Sequence, residues 1–352
     1  MLAFLLHCAW ACIKAGHGTL FESRVANDVV GFTFHSLLLL PYFSWRATHH
    51  AHHKATGSVE RDENYVPYHR ADYGLPPARV ARSADYAEVF EETPLWTLAK
   101  VLTMCIAGWW MYLTQNAMGA KMYPKGTNHF SPGSPLFKPH QRPLILLSDM
   151  GLVAVFGLLW VAARYVGWAG VARYYLVPYL LTNHWIVMFT YLHHSDPTIP
   201  HYYGPEWTFL RGALATVDRP LLGWMGRFFF HNISHDHIAH HLFVGAPFYH
   251  GPEITKHIKA VLGDEYNYDS TVRQFLASAS PLELVITRTR TQNTFYAFWR
   301  SFTQCLFIEE STEGGIAFYK NGRGEAAREV AVGAVGLLQN GNQEKQADVA
   351  TA

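Results

Sequence analysis

The chain has 352 residues, a formal net charge of +1, and 49% hydrophobic and 15% aromatic side chains. A balance so near neutral excludes the electrostatic footprint of a nucleic-acid partner, and the length suits one catalytic body rather than a string of domains. Cys8, Cys12, Cys105 and Cys305 form neither a C-x-x-C pair nor a disulfide framework, which fits a reduced, cytosol-facing site.

The start, Met1 to Ile13, is mostly apolar and too short to span a bilayer. His17 follows in A-G-H-G, and the apolar segment Val29 to Phe43 separates it from T-H-H-A-H-H-K. In that motif His49, His52 and His53 stand at i, i+3 and i+4, so a helix places them on one face with Cβ atoms about 5–6 Å apart. If His17 and this triplet serve one site, the Val29 to Phe43 segment must dip into the bilayer and return, or lie in its plane, because a crossing would put its ends on opposite sides. The loop from Ser44 to Thr93 carries Arg46, Lys54, Arg61, Arg70, Arg79 and Arg82, an excess that marks a cytoplasmic side. The same basic residues offer a surface to an acidic electron donor.

Three apolar runs come next, Leu95 to Leu113, Leu144 to Val166 and Tyr174 to Leu192, each about long enough to cross a core of roughly 30 Å. Trp96, Trp109, Trp110, Tyr112, Trp168, Tyr174 and Tyr175 crowd their ends as interfacial belts do. An odd number of crossings would separate His53 from His194, so at least one run has to break or fail to span. Beyond His194, in Y-L-H-H-S, a second H-x-x-H-H triplet holds His237, His240 and His241. The sequon Asn232-Ile233-Ser234 lies beside this motif and reads as a chance match. Residues 272–292 interrupt what would otherwise join as Y-D-S-T and T-F-Y-A-F-W-R, and they read as an insertion or retained intron. The tail after Gly324 is small, polar and rich in Gln and Asn, a composition expected to be disordered.

Two spaced triplets, with His17 and His194 as further candidates, exceed what one tetrahedral zinc uses. Two metals are the better reading, and although imidazole suits several metals, oxygen chemistry points to iron. Carboxylates or amides should orient the rings, the candidates being Asp62, Glu63, Asn232 and Asp236. No H-E-x-x-H motif is present to support a metallohydrolase. The expected fold is an all-α integral membrane protein, with transmembrane helices under a cytosolic histidine-rich cap that holds a di-metal site. Apolar residues of the membrane runs, together with Leu242, Phe243 and Val244, are candidates for a substrate tunnel.

The motifs W-R-A-T-H-H-A-H-H-K-A-T-G-S-V-E-R-D-E, Y-L-H-H-S-D-P-T-I-P-H-Y, R-G-A-L-A-T-V-D-R and F-H-N-I-S-H-D-H-I-A-H-H-L resemble those of the membrane-bound acyl-lipid desaturases. The likeness is greatest to the Δ12 (oleate) desaturases of fungal type and covers roughly Ala15 to Thr271 and Thr294 to Arg323. The resemblance implies a di-iron enzyme of the endoplasmic reticulum membrane that uses O2 and electrons from cytochrome b5 to desaturate an acyl chain, with a phospholipid-bound oleoyl group as substrate. It implies His17, His49, His52, His53, His194, His237, His240 and His241 as metal ligands, with His50 and His193 outside the motif positions. The family's first box reads H-x-x-x-H, whereas Ile13 stands four residues before His17. His7 cannot substitute, lying about 15 Å up a continuous helix. Residues 1–14 are therefore expected to be an aberrant start to a desaturase domain over 15–323. Three alternatives stay open: a non-catalytic remnant that binds membrane or a partner, an ω3 desaturase, or a fatty acyl hydroxylase.

Overall fold

The computed structural model describes residues 1–269, 294–310 and 314–330. Helices dominate: α1 (Leu2–Gly16), α2 (Arg24–Leu37), α3 (Tyr42–Ala55), α4 (Ser83–Phe90), α5 (Pro94–Gln115), α6 (Arg142–Val171) and α7 (Val177–His194) come first. The shorter α8 (Phe209–Leu214), α9 (Trp224–Phe229) and α10 (His237–Leu242) follow, then α11 (Gly251–Leu262) and α12 (Thr294–Gln304). One small antiparallel pair, β1 (Pro200–Tyr202) with β2 (Ile316–Phe318), is in the register Pro200 to Phe318.

The apolar start is the body of α1, with Trp10 and Cys12 fully buried. The Val29 to Phe43 segment is not one element. Ser23 caps α2 by accepting the Ala26 N–H (3.3 Å), and α2 stops at Leu37. The chain then reverses through Leu38–Pro41, with Leu39 at φ 52°, into α3. That reversal keeps His17 and the first triplet near each other. The expected loop from Ser44 is helical as far as Ala55 and again over α4.

Helical structure runs from Pro139 to His194, 56 residues, and is both long and apolar enough to cross a membrane. The two runs expected here are thus joined, and Gly167 (φ 72°, ψ 163°) is the non-helical break between them. Large apolar side chains face outward along both arms, including Met150, Val153, Phe156 and Tyr165 before the break and Trp168, Tyr174 and Val177 after it. The run Leu95 to Leu113 forms α5, started by Thr93 and Pro94. Among the described residues it does not meet the same test of length and apolar character.

Two apolar clusters hold the helices together. One joins Leu5, Tyr42, Trp45, Leu113, Ile145 and Tyr179, and the other joins Trp10, Met188, Phe189, Phe230 and Phe298. Part of the tail is ordered against this body, with the Arg328 guanidinium donating to the Thr198 carbonyl (3.3 Å) and lying over Phe318. Residues 272–292, and the tail from 331 to 352, lie outside the described residues.

Close packing of α8 on the end of α3 fixes the floor of the histidine-rich region. A Cβ on Gly212 would lie well inside van der Waals contact distance of the Thr56 carbonyl oxygen and press on Trp207. Gly212→Ala is expected to destabilise the fold by about 1–3 kcal/mol, as overpacking does. Thermal melts of the two proteins check this, and an unchanged midpoint would contradict it.

Candidate metal centre

The first triplet projects from the last two turns of α3. The helix ends at Thr56, and Gly57, at φ 72°, turns the chain back so that Asp62 comes under His52. Asp62 then accepts hydrogen bonds from the backbone N–H of Gly57 (3.0 Å) and Asn64 (2.9 Å) and from His52 Nδ1–H (2.7 Å). The second triplet stands on α10, whose Ile238 N–H is held by the Asp218 carboxylate at 2.8 Å. His194 ends α7, and the neighbouring chain is pinned by Arg219. That buried guanidinium donates to the Leu192 carbonyl (2.7 Å), Asp196 (2.6 Å) and Asp269 (2.8 Å). His17 caps the carboxyl end of α1, where His50 Nε2–H donates to the Gly16 carbonyl (2.9 Å).

These four elements bring all eight candidate histidines into one patch. Side-chain nitrogens of His17, His49, His53 and His240 all lie within 4.8 Å of one another, as do those of His52, His194 and His241. His237 completes the second group, its Nε2 lying 3.1 Å from both His194 Nε2 and His241 Nε2. The two groups touch where the His53 and His241 rings meet, 4.3 Å apart.

The contacts are nitrogen to nitrogen. His17 Nε2 is 3.0 Å from His49 Nε2, which is 3.2 Å from His53 Nε2. Where Nδ1 carries the proton, as at His52 against Asp62 and at His241 against Thr56 Oγ1 (3.2 Å), the Nε2 lone pair is left facing its neighbours. Lone pairs so directed repel one another unless a cation lies between them. Burial, reinforced by neighbouring imidazoles, holds His17, His49, His53, His237, His240 and His241 well below the usual histidine range. They are therefore neutral at pH 7, the form that binds metals. The donor set fits a pair of first-row transition ions with nitrogen ligands.

Of the four candidate orienting groups, only Asp62 touches a ring. Glu63 accepts from the Tyr123 hydroxyl (2.5 Å), and Asn232 donates to the Phe248 carbonyl (3.4 Å) and accepts from Arg227. Asp236 pairs with Arg227 at 3.2 Å, and only its backbone carbonyl meets the motif, at the His240 N–H. Sequence adjacency fails here because acids next to a helical triplet point wherever the turn sends them. His193 is buried against the His237 ring (4.4 Å), with both its nitrogens near backbone carbonyls. His7 lies beside His231 (3.1 Å), away from the patch.

Other residues at the patch carried no pattern by which sequence could single them out. Tyr65 stacks on His194 (4.6 Å, 14°), Trp45 stacks on His49 (4.6 Å, 19°), and Thr56 meets His241. Arg46 and Arg70, expected to face a partner, are engaged internally with Asp28 and Glu309.

A cavity of about 660 Å³ opens from the histidines. Trp10 and Ile13 of α1, Met104 and Gly108 of α5, and Ile186 and Phe189 of α7 line it. Leu242, Phe243 and Val244 do not. On its wall the Tyr112 hydroxyl is bonded to Thr48 Oγ1 (2.9 Å) and donates to Asn64 Oδ1 (3.3 Å), and the lining is mostly apolar.

A buried all-imidazole patch at the end of a mostly apolar cavity, in a helical body with one helix long and apolar enough to cross a membrane, is compatible with metal-dependent chemistry on an apolar substrate. The fatty acid desaturase family model matches residues 1–272. A Δ12 fatty acid desaturase of Mortierella isabellina is 40% identical over 312 residues, covering 87% of this chain and 72% of that protein. An oleate hydroxylase of Claviceps purpurea is 35% identical over 329 residues, 88% of this chain and 65% of the relative. An endoplasmic reticulum omega-6 fatty acid desaturase of Brassica juncea is 36% identical over 315 residues, 88% of this chain and 72% of its own. The chain belongs to the fatty acid desaturase family and is an oxidoreductase.

Histidines kept neutral by burial make the metal-free fold sensitive to acid. With folded-state values below the unfolded value of about 6.5, the unfolded chain binds more protons as pH falls through 6.5. Stability is therefore complete above that pH and lost below it. Melts of the metal-free protein in detergent should drop steadily from pH 7.5 to 5.5, and a flat profile would contradict the burial argument.

Proposed function

We propose that the protein is a di-iron acyl-lipid desaturase of the endoplasmic reticulum membrane. It would introduce a cis double bond at the Δ12 position of phospholipid-bound oleoyl groups, using O2 and electrons from cytochrome b5. The observation that carries this reading is the opening of the eight-imidazole patch onto the apolar cavity. The relatives named as Δ12 and omega-6 desaturases support the choice of bond. The outward-facing apolar surface of α6 and α7 supports a bilayer setting, since a patch of that extent is not sustained in water. The histidines are assigned to the cytosolic face, where the Ser44 to Thr93 segment carries its exposed Lys54, Arg61, Arg79 and Arg82.

His17, His49, His53 and His240 would hold one iron, and His52, His194, His237 and His241 the other. When bound, the irons supply oxidising power that no side-chain acid, base or nucleophile can direct at an unactivated methylene. The chain's own residues do the rest. A methylene chain has no polar handle, so selection falls to the shape of the channel between α1, α5 and α7. Asp62 and Thr56 fix the tautomers of His52 and His241, and Trp45 and Tyr65 cover His49 and His194 and keep water from the ring faces. A hydroxylase reading draws on the Claviceps relative, and a non-catalytic one on Ile13 at the cavity wall.

Expression in a yeast that lacks linoleate, followed by fatty-acid analysis, tests the function. A new diunsaturated C18 chain is expected, and His52→Ala or His241→Ala should abolish it. A hydroxylated product would favour the hydroxylase reading, and no product from the intact chain would favour the remnant.

Gly108 offers a test of the channel. It lies inside α5, where glycine costs about 1 kcal/mol relative to alanine, yet a Cβ there would meet Met104 and Val187 only at an ordinary 3.5 Å. Packing does not demand glycine, and the cavity it lines accounts for it. Gly108→Leu should lower conversion of C18 chains at least about tenfold while the protein still folds, and undiminished conversion would remove α5 from the channel.

A further inference from the structure

We infer that the two halves of the histidine patch are unequal: the half built from His52, His194, His237 and His241 is a closed, tight metal site, and the half built from His17, His49, His53 and His240 is an open one that binds metal more weakly. The inference rests on the metal-centre reading above and adds an order of affinity to it. Three independent observations support it.

Burial is the first. The four rings of the closed half are 1–5% exposed, whereas His17, His49 and His240 are only half-buried. The open half is therefore the less completely covered, and a less completely covered ligand shell exchanges more readily.

Orientation of the rings is the second. In the closed half His52 and His241 each have the nitrogen remote from the metal fixed, by Asp62 and by Thr56. His194 is held under Tyr65, and His237 lies on the His193 ring. The Nδ1 atoms of His17 and His53 in the open half meet no partner, nor does that of His237 in the closed half, so the difference lies in the fixed rings of His52 and His241. Among the described residues no carboxylate contacts any of the open half's four rings. Outer hydrogen bonds of this kind alter metal affinity by about 10–100-fold.

Charge is the third. Asp62, 1% exposed, places a buried negative charge beside the closed half and offsets the cost of burying a cation there. The open half has no such carboxylate against its rings. Lys14, on the last turn of α1 and 5% exposed, lines one small cavity with His240 and with Asp236, which offsets part of its charge. The ammonium opposes a second cation at that position. One turn before His17, Ile13 presents an apolar side chain to the cavity and adds no donor.

The test is a titration of the full-length chain in detergent, stripped by chelator, with Co(II), whose visible absorption reports nitrogen ligation. Two phases of one equivalent each are expected, with affinities at least about tenfold apart. Lys14→Met should tighten the weaker phase and His17→Ala should delete it, both leaving the tight phase unchanged. Asp62→Asn should weaken the tight phase alone. A single two-equivalent phase would overturn the inference, as would Lys14→Met or His17→Ala acting on the tight phase. Failure to bind Co(II) at all would instead fall on the metal-centre reading itself.

Discussion

Eight imidazoles packed ring to ring, six of them with Nε2 turned toward a neighbour's Nε2 at 3.0–3.2 Å, form the constraint on which this structure depends. Such an arrangement is unfavourable for the bare protein: nitrogen faces nitrogen, and burial holds His17, His49, His53, His237, His240 and His241 well below the usual histidine range. The fold tolerates it because every ring stands on an element anchored elsewhere. Asp218 holds the start of α10, Arg219 holds the chain around the end of α7, and the Gly57 turn carries Asp62 under α3. His50 ties the end of α1 to α3. A cation between the rings would convert this mutual opposition into coordination.

The anchoring groups are mostly charged and nearly all buried. Arg219, Asp196 and Asp218 are fully buried; Arg219 reaches the Leu192 carbonyl of α7 and pairs with Asp196, and Asp218 accepts from Ile238 of α10. Removing one partner from such a pair leaves an uncompensated charge, which costs several kcal/mol. The rigidity gained is suited to a site that must hold several ligands in one geometry. The proposed acyl channel, by contrast, is a cavity lined by residues of α1, α5 and α7, whose shape would discriminate among methylene chains.

Much of the site was legible in the sequence because H-x-x-H-H is a helical spacing, and helical spacing fixes a common face. That His49, His52 and His53 share a face of α3 needed no tertiary information, but the division of each triplet between two groups, His49 and His53 with His240, His52 with His241, did. Asp62 was found by proximity, but Glu63, Asn232 and Asp236 were equally near and turned elsewhere, since a carboxylate's direction after a helix end is set by the turn. Trp45, Tyr65 and Lys14 carry no pattern that separates them from ordinary core residues. The apolar runs predicted helices correctly at α5, α6 and α7. They did not show the continuity across Gly167, because a single φ value decides whether two apolar helices join or part. The reversal at Leu38–Pro41 was foreseen as a return of the chain, but its division into α2 and α3 was not.

The central claim is that imidazole nitrogen, supplied by all four histidine-bearing elements, forms the inner shell of two irons. X-ray absorption at the iron edge of the purified chain tests it most directly. The account predicts about two irons per chain with a first shell dominated by nitrogen and the outer-shell scattering of imidazole rings. Iron bound mainly through oxygen or sulfur, or a preparation that takes up zinc and no iron, would contradict it.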